Sequence, residues 1–511
     1  MLKKLLHTTS LKANIIANFI GNGWSALIGI IFIPVYLKYI GAEGYGLIGA
    51  FASLQIVLSL LDRGFTTTLN KEMSRLSVLD NKEQQMCNIV KTLGSVYWII
   101  ALVVGVVAFG ISPLLAKYWV HPKQLSVQTI TYAFILLSAS LIFQLPSSFY
   151  SGGLLGLKRQ VMLNVIRVTF ATLKSVGVLL VLIFVSTSIL VFFGWMLFIT
   201  ILQAFTLKFI LWHYLPKTSA KPIFDKQELK NVRRFTAGMI GISLTAILLT
   251  QIDKIILSKI LSLEQFGYYS VACTLGLAIT QIITPLTQSY FPNFSNLIAL
   301  NKTEDLKKMY HQGCQMVSVL VLPATFILFF FSKELIFIWT KSETTVTNTW
   351  LITSVYALGT GINGLLNIPY QLTLAYGWTK LGFYQNLMFL CLMIPLTIYF
   401  SLHYGALGGA MSWCTINVLY FLITPSLIHA KILKGEKTYW YWHDCIKILL
   451  LCAVFIYTIK YFFPISSLSL LLQLIILSFT GITSLAAGFF FSKNLKSNSS
   501  LKFNKKGANY F

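Results

Sequence analysis

Uninterrupted apolar stretches recur along the whole chain, and they constrain its fold more than any other feature. A helix that crosses a bilayer needs about 20 consecutive, mostly apolar residues. About fourteen segments meet that need, near 13–37, 44–65, 92–116, 124–150, 161–185, 189–213, 234–258, 265–290, 313–338, 347–375, 379–402, 405–429, 446–463 and 468–491. In hydrocarbon every backbone N–H and C=O must be satisfied internally, so such segments form helices or close into a β-barrel. Barrel strands alternate polar and apolar residues, and these segments do not. The expected fold class is an all-α polytopic membrane protein with about 14 transmembrane helices.

The formal net charge of +25 raises the question of a nucleic-acid partner. Its distribution answers it. With the N-terminus inside, about 29 basic residues fall in inner loops and the tail, and about 7 outside, which is the positive-inside bias. Lys158 and Arg159, the run from Lys217 to Arg234, and Lys493 to Lys506 are the densest inner groups. The charge therefore reports topology and an anionic lipid surface rather than nucleic acid. It places the chain in a membrane as a multi-pass protein with both termini cytoplasmic. The first apolar segment is too long for a signal-peptide core and lacks a clear cleavage site, so no cleavable signal is expected. Cys87, Cys273, Cys314, Cys391, Cys414, Cys445 and Cys452 form no Cys-x-x-Cys pair, and the histidines show no ligand spacing. No disulfide, metal or cofactor is expected. Walker, His-Glu-x-x-His and Gly-x-Ser-x-Gly motifs are absent, so neither a resident ATPase nor covalent catalysis is expected.

The longest polar break, 214–234 ("YLPKTSAKPIFDKQELKNVRR"), separates six apolar segments from the next six. The expected organisation is an N-terminal six-helix half over 1–213, a cytoplasmic linker over 214–233 and a C-terminal six-helix half over 234–430. Two extra helices over 431–491 and a basic cytoplasmic tail over 492–511 follow. The halves read as repeats. Lys38 matches Lys259, Glu43 matches Glu264 and Gly46 matches Gly267, each pair separated by 221 positions. Ser74 with Ser295 and Glu83 with Glu304 keep the same offset. An even number of crossings between copies makes the repeats parallel, a transporter architecture with a central cavity between the halves.

Polar residues inside the apolar segments mark where that cavity would be. Asn14, Asn18 and Asn22 recur every four residues in the first segment and share one helix face. Asn363, Asn367 and Gln371 repeat the pattern in the tenth, and Gln281, Thr284 and Gln288 line the eighth. A lipid-facing helix has no use for such stripes. They serve either a hydrated cavity, where water also satisfies bent backbone, or hydrogen bonds between packed helices; stripes in both halves favour the cavity.

Charges there are costlier, roughly 2.5–3.5 kcal/mol each at a helix centre on insertion scales. Arg167 and Lys174 lie seven residues apart on one face of the fifth segment. They sit roughly 12 and 22 Å from its inner end at 1.5 Å per residue. Either both snorkel to an interface, or together they form a ladder for an anion. Asp62 and Arg63 end the apolar part of the second segment, as an interfacial pair or as part of the site. In "QIDKIILSK", Asp253 and Lys254 are about 100° apart on the helix and do not face each other as an i, i+4 pair would. Asp253 then needs another partner: a basic residue in a structural pair, or a coupling cation or proton.

Several phrases resemble one family. "QIDKIILSKILSLEQFGYYSVA" (251–272), "GGLLGLKRQVMLNVIR" (152–167), "YLKYIGAEGYGLIGAF" (36–51) and "LLDRGFTTTLNKEMSRL" (60–76) are similar to bacterial polysaccharide flippases of the Wzx type, over roughly 10–430. The last 80 or so residues match only in offering two further helices. The resemblance implies the fold shared by multidrug and oligosaccharidyl-lipid exporters. It implies a substrate of polyprenyl pyrophosphate carrying an oligosaccharide, moved from the inner to the outer leaflet of the bacterial inner membrane for O-antigen or a similar polymer. A polysaccharide polymerase and assembly proteins would be partners. It also implies a cationic cavity, and Arg167, Lys174, Arg63 and Lys254 are the residues here that could supply it. Asn18, Asn22, Trp24, Asn363, Asn367 and Tyr370 could meet the sugar, and Asp253 and Asp62 an ion or a structural partner.

The nearest rival is a cation-coupled multidrug exporter of the same superfamily, which would prefer acidic cavity residues. A membrane polysaccharide polymerase or glycosyltransferase would need catalytic groups on a sizeable loop, and no such loop is present. A scaffold without transport would not need repeats or polar stripes.

Overall fold

The computed structural model describes residues 11–492 apart from 78, 219, 464, 466 and 467; the side chains of 11–20, 59–65, 231–243 and a few other helical positions lie outside that description. Among the described residues the chain is helical, with no strand and a single isolated bridge between His121 and Ser262. The helices are α1 (Leu11–Ile31), α2 (Ile33–Leu76), α3 (Glu83–Tyr118), α4 (Val127–Gly156), α5 (Gln160–Phe184), α6 (Ile189–Tyr214), α7 (Lys226–Ile260) and α8 (Leu263–Ala299). They continue as α9 (Thr303–Phe330), α10 (Ser332–Thr340), α11 (Glu343–Leu365), α12 (Asn367–Ala375), α13 (Thr379–Tyr404), α14 (Ala406–Lys431), α15 (Lys437–Phe462) and α16 (Leu470–Phe491). Eleven stretches among the described residues are long and apolar enough to cross a membrane. The chain is thus the expected all-α polytopic protein. It divides into two compact units, Met1–Gly267 and Tyr268–Phe511.

Several helices outrun their apolar windows. Where hydropathy ends, amphipathicity takes over. The second window closes near 65, yet α2 runs to Leu76 because Leu69, Met73 and Leu76 bury one face. The third opens at Glu83 rather than 92, with Met86, Cys87, Ile89 and Val90 in the same cluster. In α2, Gly41 alone departs from helical geometry (φ 72°, ψ 174°), a conformation that side chains with a Cβ avoid. That break separates the first apolar segment from the second.

In the first unit α4 is the central helix, with α2, α3 and α6 packed against it. The reason is in "GGLLG". A Cβ on Gly152 would lie 2.5 Å from Thr66 O, and one on Gly156 2.6 Å from Asn70 O. Small residues four apart let the backbone of α2 come that close. A second close approach joins positions related by the offset of 221. A Cβ on Gly46 would meet Leu263 O at 2.0 Å, and one on Gly267 would meet Ala42 O at 2.0 Å. The contact is reciprocal: each glycine faces the residue equivalent to the one facing its counterpart. Beside it, buried Glu43 accepts hydrogen bonds from the backbone N–H groups of Lys123 (2.8 Å), Gln124 (2.9 Å) and Leu125 (3.3 Å). Its counterpart Glu264 pairs with Lys123 Nζ at 3.3 Å. The two matched glutamates thus fix the same loop.

In the second unit α9 packs against α11 and also against α15 and α16, the two extra helices. Helix α15 starts at Lys437, nine residues before its apolar window, and contains a π-helical turn over Trp440–Ile446. That turn seats Asp444, which is fully buried, against α9: His311 Nδ1 lies 2.5 Å from one carboxylate oxygen and Gln315 Nε2 donates to the other at 2.9 Å. Hydropathy alone hid this start, because Asp444 at the end of "KTYWYWHD" is satisfied inside the protein rather than by water.

Candidate functional site

Arg167 and Lys174 are carried by α5, which packs on α1 and α6. Two helical turns separate them, about 10.5 Å along the axis. Both line one cavity of about 620 Å³ within the first unit, a size typical of ligand pockets. No ion pair or hydrogen bond engages Arg167 among the described residues. Lys174 Nζ donates to Gln203 Oε1 of α6 at 3.0 Å. Among the described residues, no aspartate or glutamate contributes to the lining.

The facing wall is α4. Ser140, Gln144, Ser147, Ser148 and Ser151 recur at steps of three and four and present one polar face to the cavity. Ser140, Ser147 and Ser151 each donate to the carbonyl four residues earlier in the helix, at 2.8 to 3.0 Å. Gln144 accepts from Gln55 Nε2 of α2. Tyr36, Phe51, Phe192 and Phe193 add aromatic surface. Sequence reasoning passed over the Ser/Gln stripe of α4; its period in "SASLIFQLPSSFYS" was the available signal.

The other residues singled out from the sequence are placed as follows, beginning with those beyond reach. The side chains of Asn14, Asn18, Asp62, Arg63, Thr284 and Gln288 lie outside the described residues. Asn22 is exposed. Trp24 is not part of the cavity lining; its Nε1 donates to Thr172 Oγ1 of α5 at 3.0 Å, which ties α1 to α5. In the second unit, Asn363 donates to Asn417 Oδ1 of α14 at 2.7 Å. Asn367 donates to Gly364 O (3.1 Å) and Asn363 O (3.3 Å), carbonyls at the end of α11 that also accept from the Leu366 N–H. Both amides therefore bond protein, as in helix packing. Tyr370, on α12, is about half exposed.

The expectation that Asp253 and Lys254 do not meet is corrected. Lys254 Nζ lies 3.2 Å from Asp253 Oδ2 and also donates to Thr250 O at 3.2 Å. Its flexible four-carbon stem folds back over the helix surface and overcomes the 100° offset that separates the two Cβ directions. Asp253 itself is fully buried.

The family described as "Polysaccharide biosynthesis protein" matches residues 40–350. A Shigella flexneri protein described as "Putative O-antigen transporter" is 25% identical over 171 residues, 34% of this chain and 40% of that protein. The match thus spans about two fifths of that relative's length. Among solved structures, a lipid II flippase, MurJ, in an inward closed conformation superposes with a TM-score of 0.71 at 14% identity, covering 93% of this chain and 98% of that one. An inward-facing multidrug resistance MATE family transporter of the MOP superfamily gives 0.61 at 12% identity, with 82% and 96% covered. The chain belongs to the polysaccharide biosynthesis protein family, is a multi-pass membrane protein and has the fold of these transporters, which are not enzymes.

Proposed function

We propose that this protein is a flippase that moves polyprenyl-pyrophosphate-linked oligosaccharide units across the bacterial inner membrane by alternating access, for surface polysaccharide synthesis. The observation that carries the reading is the cavity of the first unit: two cationic side chains, one of them without a partner among the described residues, in a lining where the described residues include no carboxylate. Intramembrane cations are retained where they meet an anion. A pyrophosphate supplies one, and the planar guanidinium of Arg167 fits its oxygens two at a time. Lys174 adds a point charge two turns further along the path. The serines and glutamines of α4 and α2 offer hydrogen bonds to sugar hydroxyls, and the polyprenyl tail stays in lipid.

Family membership and the resemblance of fold support this substrate class over others. A cation-coupled drug exporter would want carboxylates, and the described residues of this cavity supply two cations and no carboxylate. With both termini cytoplasmic, the interior negative potential drives an anion outward, roughly 4–5 kcal/mol per 100 mV for two charges. The site then has only to lower the barrier to dehydration. The flipped unit passes to a polymerase and its assembly proteins on the outer face.

The test is deletion. Loss of the protein should stop polymer display and accumulate one lipid-linked oligosaccharide on the cytoplasmic leaflet, and re-expression should clear it. Normal polymer with a raised sensitivity to cationic drugs would instead identify a drug exporter.

A further inference from the structure

A second basic pocket lies apart from the central one. Helices α3 and α6 both pack on α4 and leave between them a groove of about 520 Å³. Lys91 of α3, Lys208 of α6 and Lys221 of the following segment line it, with no carboxylate among the described residues. None of the three lysines has an ion-pair partner among the described residues. Asp225 and Glu228, just beyond, are engaged elsewhere: Asp225 caps α7 through the N–H of Gln227 (2.8 Å), and Glu228 accepts from Gln85 (2.6 Å). The remaining walls are aromatic. Trp98 donates to Tyr150 OH at 2.9 Å, and Trp212 completes the lining. Lys208 Nζ lies 6.0 Å from the Trp98 ring centre, and Trp98 stacks on Phe205 with centroids 6.4 Å apart, so the two helix walls meet there.

The depth of the groove says what it holds. Lys91 lies eight residues from the start of α3, and Lys208 six from the end of α6. At 1.5 Å per residue, these are about 12 and 9 Å from neighbouring helix ends, a common level. Lysine and tryptophan together at such a level mark the headgroup region of a bilayer. Further along the same helices, away from those ends, the exposed surface is apolar, with Ile99 and Leu102 on α3 and Phe205 and Leu202 on α6. An occupant must be anionic at the lysines and hydrocarbon beyond them. An unpaired lysine within an apolar helix, as Lys208 is, also calls for a counter-charge.

We propose that this groove binds the phosphate headgroup of an anionic membrane phospholipid, with one acyl chain running along the exposed faces of α3 and α6. The lysines hold the phosphate and the two tryptophans fix its depth. The site is separate from the substrate cavity, and its occupant is a resident lipid rather than cargo.

The test uses the full-length protein in mixed phosphatidylglycerol and phosphatidylcholine. Native mass spectrometry should find phosphatidylglycerol retained at least tenfold over phosphatidylcholine. The triple variant Lys91→Gln, Lys208→Gln, Lys221→Gln should bring that preference below twofold. A control of equal charge loss elsewhere, Lys302→Gln, Lys308→Gln, Lys434→Gln, should keep it. A photoactivatable phosphatidylglycerol should label peptides within 83–118 and 189–222 of the unaltered protein, a measurement that holds even if the variant misfolds. Equal loss in both triple variants would reduce the effect to diffuse surface charge and overturn the proposal. So would labelling confined to other helices, or protection of the groove by polyprenyl pyrophosphate and not by phosphatidylglycerol.

Discussion

Replacing Arg167 with glutamine is the sharpest perturbation of the central cavity. The guanidinium contacts no acceptor among the described residues, so its removal strands no partner. Stability should change by no more than about 0.5 kcal/mol, the range for substitutions that break no named interaction. In a chain of 511 residues, at about 2.1 cal/mol/K per residue, that moves the melting temperature by roughly 0.5 °C. Binding is another matter. A hydrogen bond to a charged group contributes about 1.5–3 kcal/mol. At 1.4 kcal/mol per tenfold, the variant should bind polyprenyl pyrophosphate roughly 12- to 150-fold more weakly. Arg167→Lys should fall between, since it keeps the charge and loses the two-pronged grip. Lys174→Gln should cost less, because Lys174 is a point charge already shared with Gln203. Titration of the purified protein in nanodiscs measures each constant, and polymer display in cells checks the consequence. The reasoning fails if the double variant Arg167→Gln, Lys174→Gln binds within twofold of the unaltered protein and supports full display at normal protein levels.

Three further outcomes follow from the packing. Glu43→Ala should destabilise the first unit by several kcal/mol, since three backbone N–H groups lose their acceptor at about 1–3 kcal/mol each; hydrogen exchange at 123–125 should speed up, and Glu43→Gln should be milder. Gly267→Ala should cost about 1–3 kcal/mol by overpacking, because its methyl would sit 2.0 Å from Ala42 O; an unchanged melting temperature would show that the contact yields. Asp444→Ala should cost about 3–5 kcal/mol by leaving His311 and Gln315 without their buried acceptor; in a thermal double-mutant cycle with His311→Ala the two losses should fall well short of adding.

Fold class was legible because hydropathy is a one-dimensional signal: a twenty-residue apolar run means a spanning helix wherever it lies in the chain. The amphipathic ends of α2, α3 and α15 were not, since their partners are distant in sequence. The site divided along the same line. Arg167 and Lys174 announced themselves as rare charges in apolar sequence, and their spacing alone put them on one wall. The serines of α4 did not, because serine is common in packed helices and only the cavity distinguishes one face of α4 from the other. The asparagines of α11 and α12 are ambiguous in sequence for the converse reason. An amide stripe carries no mark of whether its partner is water or, as for Asn363, another asparagine. Lys254 shows the limit of Cβ geometry for a long flexible side chain.

The bonding of the α4 serines has a consequence for what the cavity can select. Ser140, Ser147 and Ser151 spend their protons on carbonyls of their own helix, so what they turn to the interior is lone pairs. Arg167 and Lys174 turn only protons. These three serines therefore ask the occupant for donors and the α5 cations ask for acceptors, while Gln144, whose Oε1 accepts from Gln55, can offer its amide N–H groups. Bare phosphate, rich in acceptors alone, leaves the serine wall unanswered, and an organic cation leaves the α5 wall unanswered. A molecule with an anionic head and a cluster of hydroxyls answers both at once. Discrimination then rests on the asymmetry of the chamber, and a substitution that removed a serine acceptor of α4 would alter the choice of cargo without altering the charge of the cavity.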